Sequence, residues 1–499
     1  MNQNSSNSSR PPGSEAPWAA PASETDGDSG EVDEVGETPF KGSGSGLSGS
    51  DKADAAGSES DTDGQPSSPS QKRITHPPGR QPGSQGFGRT QRLTVTDTQE
   101  YVCGHCFGCG YALDTEGQTA YTGFYTVDLI FGDTGSPGLK LTHTLHRYYR
   151  CVCPSCGLDN RHEPTRQPPD TSGDWGGVGL TEWRLIGPGL AALIAYLCMD
   201  MRVSRRKVGT LLYDLFGLKL CVGSLQASLI ESARALSPVE DALVNELLEH
   251  ELLHADETSH KEAGALLWLW VFVTTTTALF LVGSRGKEIW RNLLDSCETV
   301  FEGWLMTDGY QAYRDYARRL RCWAHLLRKA KGLQDNSYDW TIRHYGRQLK
   351  DHLDTLMRAV YQAREGPDNG RVSIAAGHQD TLNQIRLLCE AMKASAHKKT
   401  HELGVEFLND WEAIFRILDY PAWPLTNNEA ERALRHWVIL RKMSQGTRCE
   451  QGSRALALFA SVITTCRLRK ASPLWFMRDV IQARRAGKDV PELPAIPVG

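Results

Sequence analysis

Residues 252–285 read LLHADETSHKEAGALLWLWVFVTTTTALFLVGSR, and the fold of the chain turns on this stretch. No charged residue lies between Ala265 and Gly283, so a membrane-spanning helix is the first candidate. Composition argues against it. Four consecutive threonines, Thr274 to Thr277, interrupt the run, and the Val, Trp and Phe around them suit a pleated surface. The stretch divides into two strands, Leu266–Val273 and Ala278–Val282, with the threonines at the turn. Before them a strand is expected to end at Asp256, which forms an acidic pair with Glu257. The pattern predicts an α/β protein whose mixed sheet presents carboxylates at its strand ends.

Downstream, the spacing predicts an amphipathic helix over Lys287–Cys297 and a strand over Phe301–Asp308 that closes on a second aspartate before Gly309. A helix over Ala312–Arg319, a short strand over Leu320–His325 and a basic helix holding Arg328, Lys329 and Lys331 follow. Residues 336–418 read as a helical insertion between the sheet and the segment NNEAERALRHWVILRKMSQGTRCEQGSRALALFASVITTCRLRK. That segment starts acidic, carries Arg432, Arg435, Arg441 and Lys442 in a basic middle, and ends in an apolar helix over Arg454–Arg467. The tail, 483–499, is expected to be loose.

Upstream, over 180–248, an apolar helix, Thr181–Met199, precedes a helix at Ser204–Leu215, a turn at Gly217 and a second helix from Gly223. This spacing is compatible with a helix-turn-helix that offers Arg202, Arg205, Arg206 and Lys207 to phosphates. A helical hairpin that only packs fits the same pattern equally well.

Residues 95–165 carry two cysteine clusters, CGHCFGCG from Cys103 and CVCPSCG from Cys151, separated by strand-like alternation. Two C-x-x-C-G turns on a β-rich spacer predict a zinc ribbon. The best ligand set is Cys106, Cys109, Cys153 and Cys156, with Cys103, His105 and Cys151 as alternatives that spacing leaves open. Four thiolates leave no open position, so a Zn²⁺ here is structural. Buried free thiols are the plainer alternative.

The net charge of −5 hides an asymmetry. Residues 1–90 hold 13 acidic and 7 basic residues, which leaves 47 acidic and 48 basic in the rest of the chain. This arm is rich in Ser, Gly and Pro and poor in large apolar residues, so it is expected to be disordered. No secretory signal is visible at its polar start. The balanced body, with local basic clusters that include Arg318, Arg319 and Arg321, leaves a nucleic-acid partner open.

Asp256, Asp308 and a glutamate at the start of the NNEAER helix together suit a site for two hard divalent ions, Mg²⁺ or Mn²⁺. Taken singly, each acid is more often a turn or cap residue. In combination the motifs are specific. HADET at 254–258, MTDGYQAY at 306–313, CWAHLLRK at 322–329 and LTNNEAERALR at 425–435 with ILRK at 439–442 resemble transposases of the insertion-sequence-66 family. The cysteine pairs and Gly452–Arg454 share the likeness, which runs from Cys103 to Val480.

The resemblance implies a ribonuclease-H-like catalytic core, made of 250–335 and 419–482, that cuts and joins DNA strands with an aspartate, aspartate, glutamate triad. Asp256 and Asp308 take the aspartate positions and Glu431 the glutamate. Glu429 lies about 200° away around a helix, while Asn428 shares the face of Glu431. The implied partners are the element's terminal and target DNA, further copies of the chain and possible helper proteins, with no membrane, in a bacterial cytoplasm at the nucleoid. The chain departs from the family in its acidic arm and in the loop MSQGTRCEQGS. Cys322-x-x-His325 reads as a helix start rather than a second metal pair. Two other functions compete: a non-catalytic zinc-containing DNA-binding regulator, and a glycosidase using two of the carboxylates, which explains neither the cysteine pairs nor the basic clusters.

Overall fold

The computed structural model describes residues 94–132, 138–167, 173, 175–296, 300–336 and 338–497. The acidic arm, 1–90, lies outside the described residues. The first unit is a small sheet of β1 (Asp97–Tyr101), β2 (Thr119–Phe131), β3 (Leu139–Val152) and β4 (Asp159–Arg161). β2 and β3 form a long antiparallel hairpin, and β1 and β4 both pair with β3. The two-residue strands β5 (Arg166–Gln167) and β6 (Leu180–Thr181) pair with each other on the way to the helices.

Four helices follow: α1 (Pro188–Ala195), which runs on as a π-helical turn over Tyr196–Asp200, α2 (Arg205–Phe216), α3 (Val222–Leu236) and α4 (Val239–Leu248). The Asp128 carboxylate on β2 accepts the amide of Leu190 at 2.8 Å, at the positive end of α1. This ties the hairpin to the helical body. α3 buries Leu225, Leu229, Ala233, Ala235 and Leu236. α3 leaves Val222, Gly223 and Ala227 exposed at its start and buries its later turns, and the exposed bases Arg205, Arg206 and Lys207 are on α2.

The central sheet contains β7 (Leu252–Glu262), β8 (Ala265–Val273), β9 (Ala278–Gly283), β10 (Trp304–Thr307) and β11 (Arg319–Arg321), in the order β11-β10-β7-β8-β9. β7, β8 and β9 are antiparallel neighbours, whereas β7, β10 and β11 are parallel. The threonine turn forms as expected, closed by the Thr274 hydroxyl, which accepts the Thr277 amide at 3.0 Å. Three expectations need correction. The strand does not end at Asp256 but runs through it to Glu262, because its pairing with β8 continues to Ala265. The strand expected over Leu320–His325 covers Arg319–Arg321 instead, so Cys322 and His325 belong to the start of a helix. The helix expected over Ala312–Arg319 is a single 3-10 turn, Gln311–Tyr313, because Tyr313 is drawn into the core and the Tyr316 hydroxyl donates to the Gly303 carbonyl at 2.6 Å.

Helices cover both sheet faces. One face, with Leu269, Val271, Val273 and Phe280, packs against α11 (Asn428–Ser444) and α12 (Glu450–Leu468), and α1 and α3 join the same core. The other, with Leu253, Ala255, Trp270 and Phe272, packs against α4 and α5 (Glu288–Asp295). α6 (Trp323–Asn336), α7 (Trp340–Glu365), α8 (Gln379–Lys393), α9 (Lys398–Asn409) and α10 (Trp411–Phe415) enclose a separate core. That helical body already begins at Trp323, earlier than 336, because Trp323, Leu326, Ala330 and Leu333 face α7 to α10 rather than the sheet.

α13 (Pro473–Arg485) closes the chain. The expectation of a loose tail from 483 is corrected: Arg485 is buried on Glu231 at 3.1 Å, Val490 and Leu493 pack on the main core, and the Pro494 carbonyl accepts from Arg469 at 2.8 Å. No helix among the described residues is long and apolar enough to cross a membrane.

Candidate functional site

β7 and β10 lie side by side with His254 opposite Met306. β10 ends at Thr307, so Asp308 stands directly past this pairing, within reach of the charge of Asp256. Their charges meet: burial first, and then the negative charge of Asp308, push the Asp256 carboxyl up to about 7. Each aspartate accepts a nearby amide at 2.9 Å, Asp256 from Glu257 and Asp308 from Tyr310. No ion pair neutralises either one among the described residues. Glu257 differs. It points to the opposite face, where Arg285 pairs with it at 2.9 Å while stacking on Trp268 and Tyr310.

The turn after Asp308 depends on Gly309, whose φ of +99° only glycine adopts freely. A Cβ there would also lie 2.0 Å from the guanidinium carbon of Arg321. Arg321 is fully buried, pairs with Glu406 at 2.5 Å and with Asp410, and donates to the Asp308 carbonyl at 3.0 Å. The helical body and the second aspartate therefore share one arginine. Arg321 has no free face for a phosphate, and Arg319 is likewise paired with Asp410 at 3.3 Å.

α11 brings in the glutamates. Glu429 and Glu431 both lie in its first turn, where the helix dipole favours negative charge. Glu429 pairs with Arg432 at 3.0 Å. Glu431 faces the other way: its charge raises the Asp256 pKa, and its Oε1 lies 3.9 Å from His325 Nε2. Among the described residues, the donors of Asp256, Asp308 and Glu431 do not form a group lying within 4.8 Å of one another; the close group that includes Glu431 contains Cys322 and His325.

A residue that sequence reasoning passed over holds these parts together. Asn427 is fully buried, donates its side-chain amide to the Ala255 carbonyl at 2.7 Å, and meets His254 Nδ1 at 3.0 Å. Its backbone amide points at Cys322 Sγ at 3.2 Å. One asparagine thus links α11, β7 and the start of α6. The doubled asparagine before the acidic helix was the available signal, but spacing favoured Asn428.

The other basic residues divide by environment. Arg328, Arg435 and Lys442 are exposed, Lys329 is engaged by Glu406 at 2.7 Å, and Arg441 reaches the hydroxyls of Thr258 and Ser259 on β7. Arg202 is half-buried with a φ of +57°.

At the far end of the first unit, Cys106, Cys109, Cys153 and Cys156 bring their sulfurs within 4.8 Å of one another. Cys106 and Cys156 are 3.5 Å apart, and Cys109 and Cys153 3.7 Å. Sulfurs about 2.3 Å from one tetrahedral ion would be separated by about 3.8 Å, so the donor set fits zinc. The turns repeat each other: Cys106 and Cys153 each accept an amide four residues on, from Gly110 and Gly157, whose φ values are +74° and +72°. Cys103 and Cys151 lie beside the cluster and outside it.

Sequence comparison decides the family. A model described as Transposase IS66 family matches residues 184–455, more than half of the chain. The chain belongs to that family. The match begins near α1 and ends in α12, so it takes in the whole central sheet, α11 and the helical body. Two proteins of Sinorhizobium fredii (strain NBRC 101917 / NGR234) are also similar, both described as uncharacterized. Protein y4qI is 26% identical over 298 residues, covering 52% of this chain and 53% of its own length. Protein y4hP is 24% identical over 346 residues, covering 62% and 61%. The chain therefore spans between half and two thirds of these relatives. Family membership supports a role in transposition.

Proposed function

We propose that the chain is a DNA transposase whose Asp256, Asp308 and Glu431 carry out divalent-metal-dependent strand cleavage and strand transfer. The observation that supports the reading is that Asp256 on β7 feels the charges of both Asp308, directly after the parallel neighbour β10, and Glu431 on α11, with no ion pair on either aspartate among the described residues. The strand order, with one antiparallel hairpin at one edge and parallel strands at the other, supports a ribonuclease-H-like core. The carboxylates would hold Mg²⁺ or Mn²⁺, two ions in the usual arrangement, which supply Lewis acidity at the attacking and leaving oxygens of an in-line displacement. The donor set fits such ions: it is all oxygen, and burial together with the charge of Asp308 leaves Asp256 in need of a cation.

The chain's residues supply position and charge. Asp256 and Asp308 are fixed by β-sheet register, and Glu431 by the Asn427 clasp. Arg328, Arg435 and Lys442 present free positive charge for the DNA backbone, joined by Arg205, Arg206 and Lys207 on α2. Lys329, Arg432 and Arg441 have partners in the protein and would have to exchange them for phosphates, and Arg202 is half-buried. The terminal sequence unit would hold one structural Zn²⁺ on its four cysteines. Homo-oligomers on DNA, helper proteins and a place at the bacterial nucleoid belong to the same reading. A zinc-containing regulator without catalysis would leave the carboxylate cluster without a purpose.

The test is a strand-cleavage and strand-transfer assay with the element's own ends. Asp256→Asn, Asp308→Asn and Glu431→Gln should each lower Mg²⁺-dependent cleavage by at least about a thousandfold, since a neutral amide keeps shape but loses the charge that binds the ion. DNA binding should stay near normal. Glu429→Gln should cleave within about threefold of the parent, a difference of under 1 kcal/mol in barrier. Normal cleavage by Glu431→Gln together with a dead Glu429→Gln would overturn the assignment of the third carboxylate.

A further inference from the structure

We propose that Cys322, His325 and Glu431 form a second transition-metal site, of the zinc class, and that filling it draws Glu431 away from the aspartates. The effect on the aspartates rests on the catalytic reading above; the binding site itself does not. The sulfur, imidazole and carboxylate donors all lie within 4.8 Å of one another. Two come from one turn of chain, Cys322 directly before α6 and His325 inside its first turn, a three-residue spacing that puts both on one helix face. The third arrives from the first turn of α11.

The donor chemistry separates this site from its neighbour. Thiolate, imidazole and carboxylate together select Zn²⁺ or a similar borderline ion, whereas Asp256 and Asp308 offer only hard oxygen. The surroundings are prepared for a metal thiolate. The Asn427 amide points at the Cys322 sulfur at 3.2 Å, the type of outer contact that orients a ligating sulfur. His325 Nδ1 is buried without a hydrogen-bond partner, so the ring has a nitrogen uncommitted to the protein. Cys322 is sealed, but the His325 and Glu431 side chains are 27% and 40% exposed, which leaves an approach for the ion and a fourth position for water.

Glu431 is the shared element. Its charge reaches Asp256, yet its closest donor group is with the cysteine and histidine. One carboxylate thus stands between two centres of different hardness. A borderline ion on Cys322 and His325 would fix Glu431 on that side and weaken the hard-ion site by one ligand. The geometry makes such an ion an antagonist of Mg²⁺ or Mn²⁺.

The test uses the full chain, stripped of metal and then loaded with ZnCl₂. Metal analysis should find two zinc equivalents per chain, and only one after Cys153→Ser or Cys322→Ser. His325→Gln, a near-isosteric change at a partly exposed position, should weaken the second equivalent at least tenfold; circular dichroism checks that each variant is folded. Cobalt substitution should give thiolate-to-metal absorption that Cys322→Ser diminishes. A single equivalent in the parent chain, or a second one unchanged in His325→Gln and Cys322→Ser, overturns the site. Mn²⁺ binding followed by electron paramagnetic resonance tests the antagonism: the second zinc should weaken it at least tenfold in the parent and leave it unchanged in Cys322→Ser. Equal Mn²⁺ affinity with and without the second zinc overturns the antagonism. Failure of the catalytic reading looks different, as Asp256→Asn would then leave Mn²⁺ binding unaltered while the zinc count stayed at two.

Discussion

Asn427 does its work away from the position its residue type suggests. It stands at the N-cap of α11, where an asparagine ordinarily accepts an amide of the first helical turn, but its side chain makes no such bond. It crosses instead to the Ala255 carbonyl and to His254, on either side of the chain leading to Asp256. Asn427→Ala removes both bonds in a fully buried place and leaves a carbonyl unsatisfied, at a cost of about 2–4 kcal/mol. Denaturant unfolding should show this loss, and cleavage should fall with it because Glu431 loses its tether to β7. A loss under about 0.5 kcal/mol, the usual size of a neutral surface change, would refute the clasp. The carboxylates themselves were legible in the sequence, since HADET, MTDGY and NNEAER mark them by local pattern. Asn427 was not, because its partners lie 172 and 173 residues away and no local spacing encodes such a contact. Arg321 hid for the same reason: it reads as one base in a basic run, and only the fold places Glu406 and Asp410 around it.

The cysteine unit and the strands show what local pattern does encode. Period-two alternation gave β2 and β3, β-favouring composition around a threonine turn gave β8 and β9, and those threonines close the turn through their own hydroxyls. The four proposed zinc ligands come together in the fold, as the paired turns predicted. Helical readings fared less evenly, because an apolar stripe tells that a helix packs but not on what. α3 is such a helix, exposed at its start and buried over its later turns. The ribbon itself has two ends with different support. Near α1, Val127 and Leu129 join the main core, whereas the buried apolar cluster at the knuckle end consists, among the described residues, of Cys103, Cys106, Leu113 and Cys153. So small a cluster cannot offset the entropy of ordering its loops, and ligation energy must serve as folding energy there. Chelation of zinc, or Cys153→Ser, should therefore open the chain around 103–118 and 151–160 to protease while the body keeps its unfolding midpoint. Protection of those loops in metal-free protein would show that zinc is dispensable for them.

The main core joins parts of the chain that a linear division separates. One cluster of buried residues includes Val127 and Leu129 from the hairpin, Leu190 and Ile194 from α1, Leu225 and Leu229 from α3, Val271 and Phe280 from the sheet, and Phe476 and Ile481 from α13. A boundary near residue 250 therefore cuts through packed surface, and residues 95–250 alone would expose the side of α3 that meets α12 and α13. The family match ends at residue 455, yet the core does not. α13 buries Phe476, Met477, Val480 and Ile481, and Arg485 lies against Glu231 and the Ile186 carbonyl. Four such side chains contribute on the order of 6–12 kcal/mol of transfer free energy, as much as the roughly 5–15 kcal/mol by which a domain is stable at all. Ending the chain at Ala471 should leave a protein without a cooperative unfolding transition, even though every proposed catalytic and zinc-binding residue is retained. The physical reason is that α13 packs on both α1 and α3 and shares one buried core with them. Circular dichroism against temperature on the truncated and full chains is the measurement. If the truncated chain melts cooperatively within about 5 °C of the parent, a shift that corresponds to roughly 1–2 kcal/mol, then α13 is an appendage and the core closes without it.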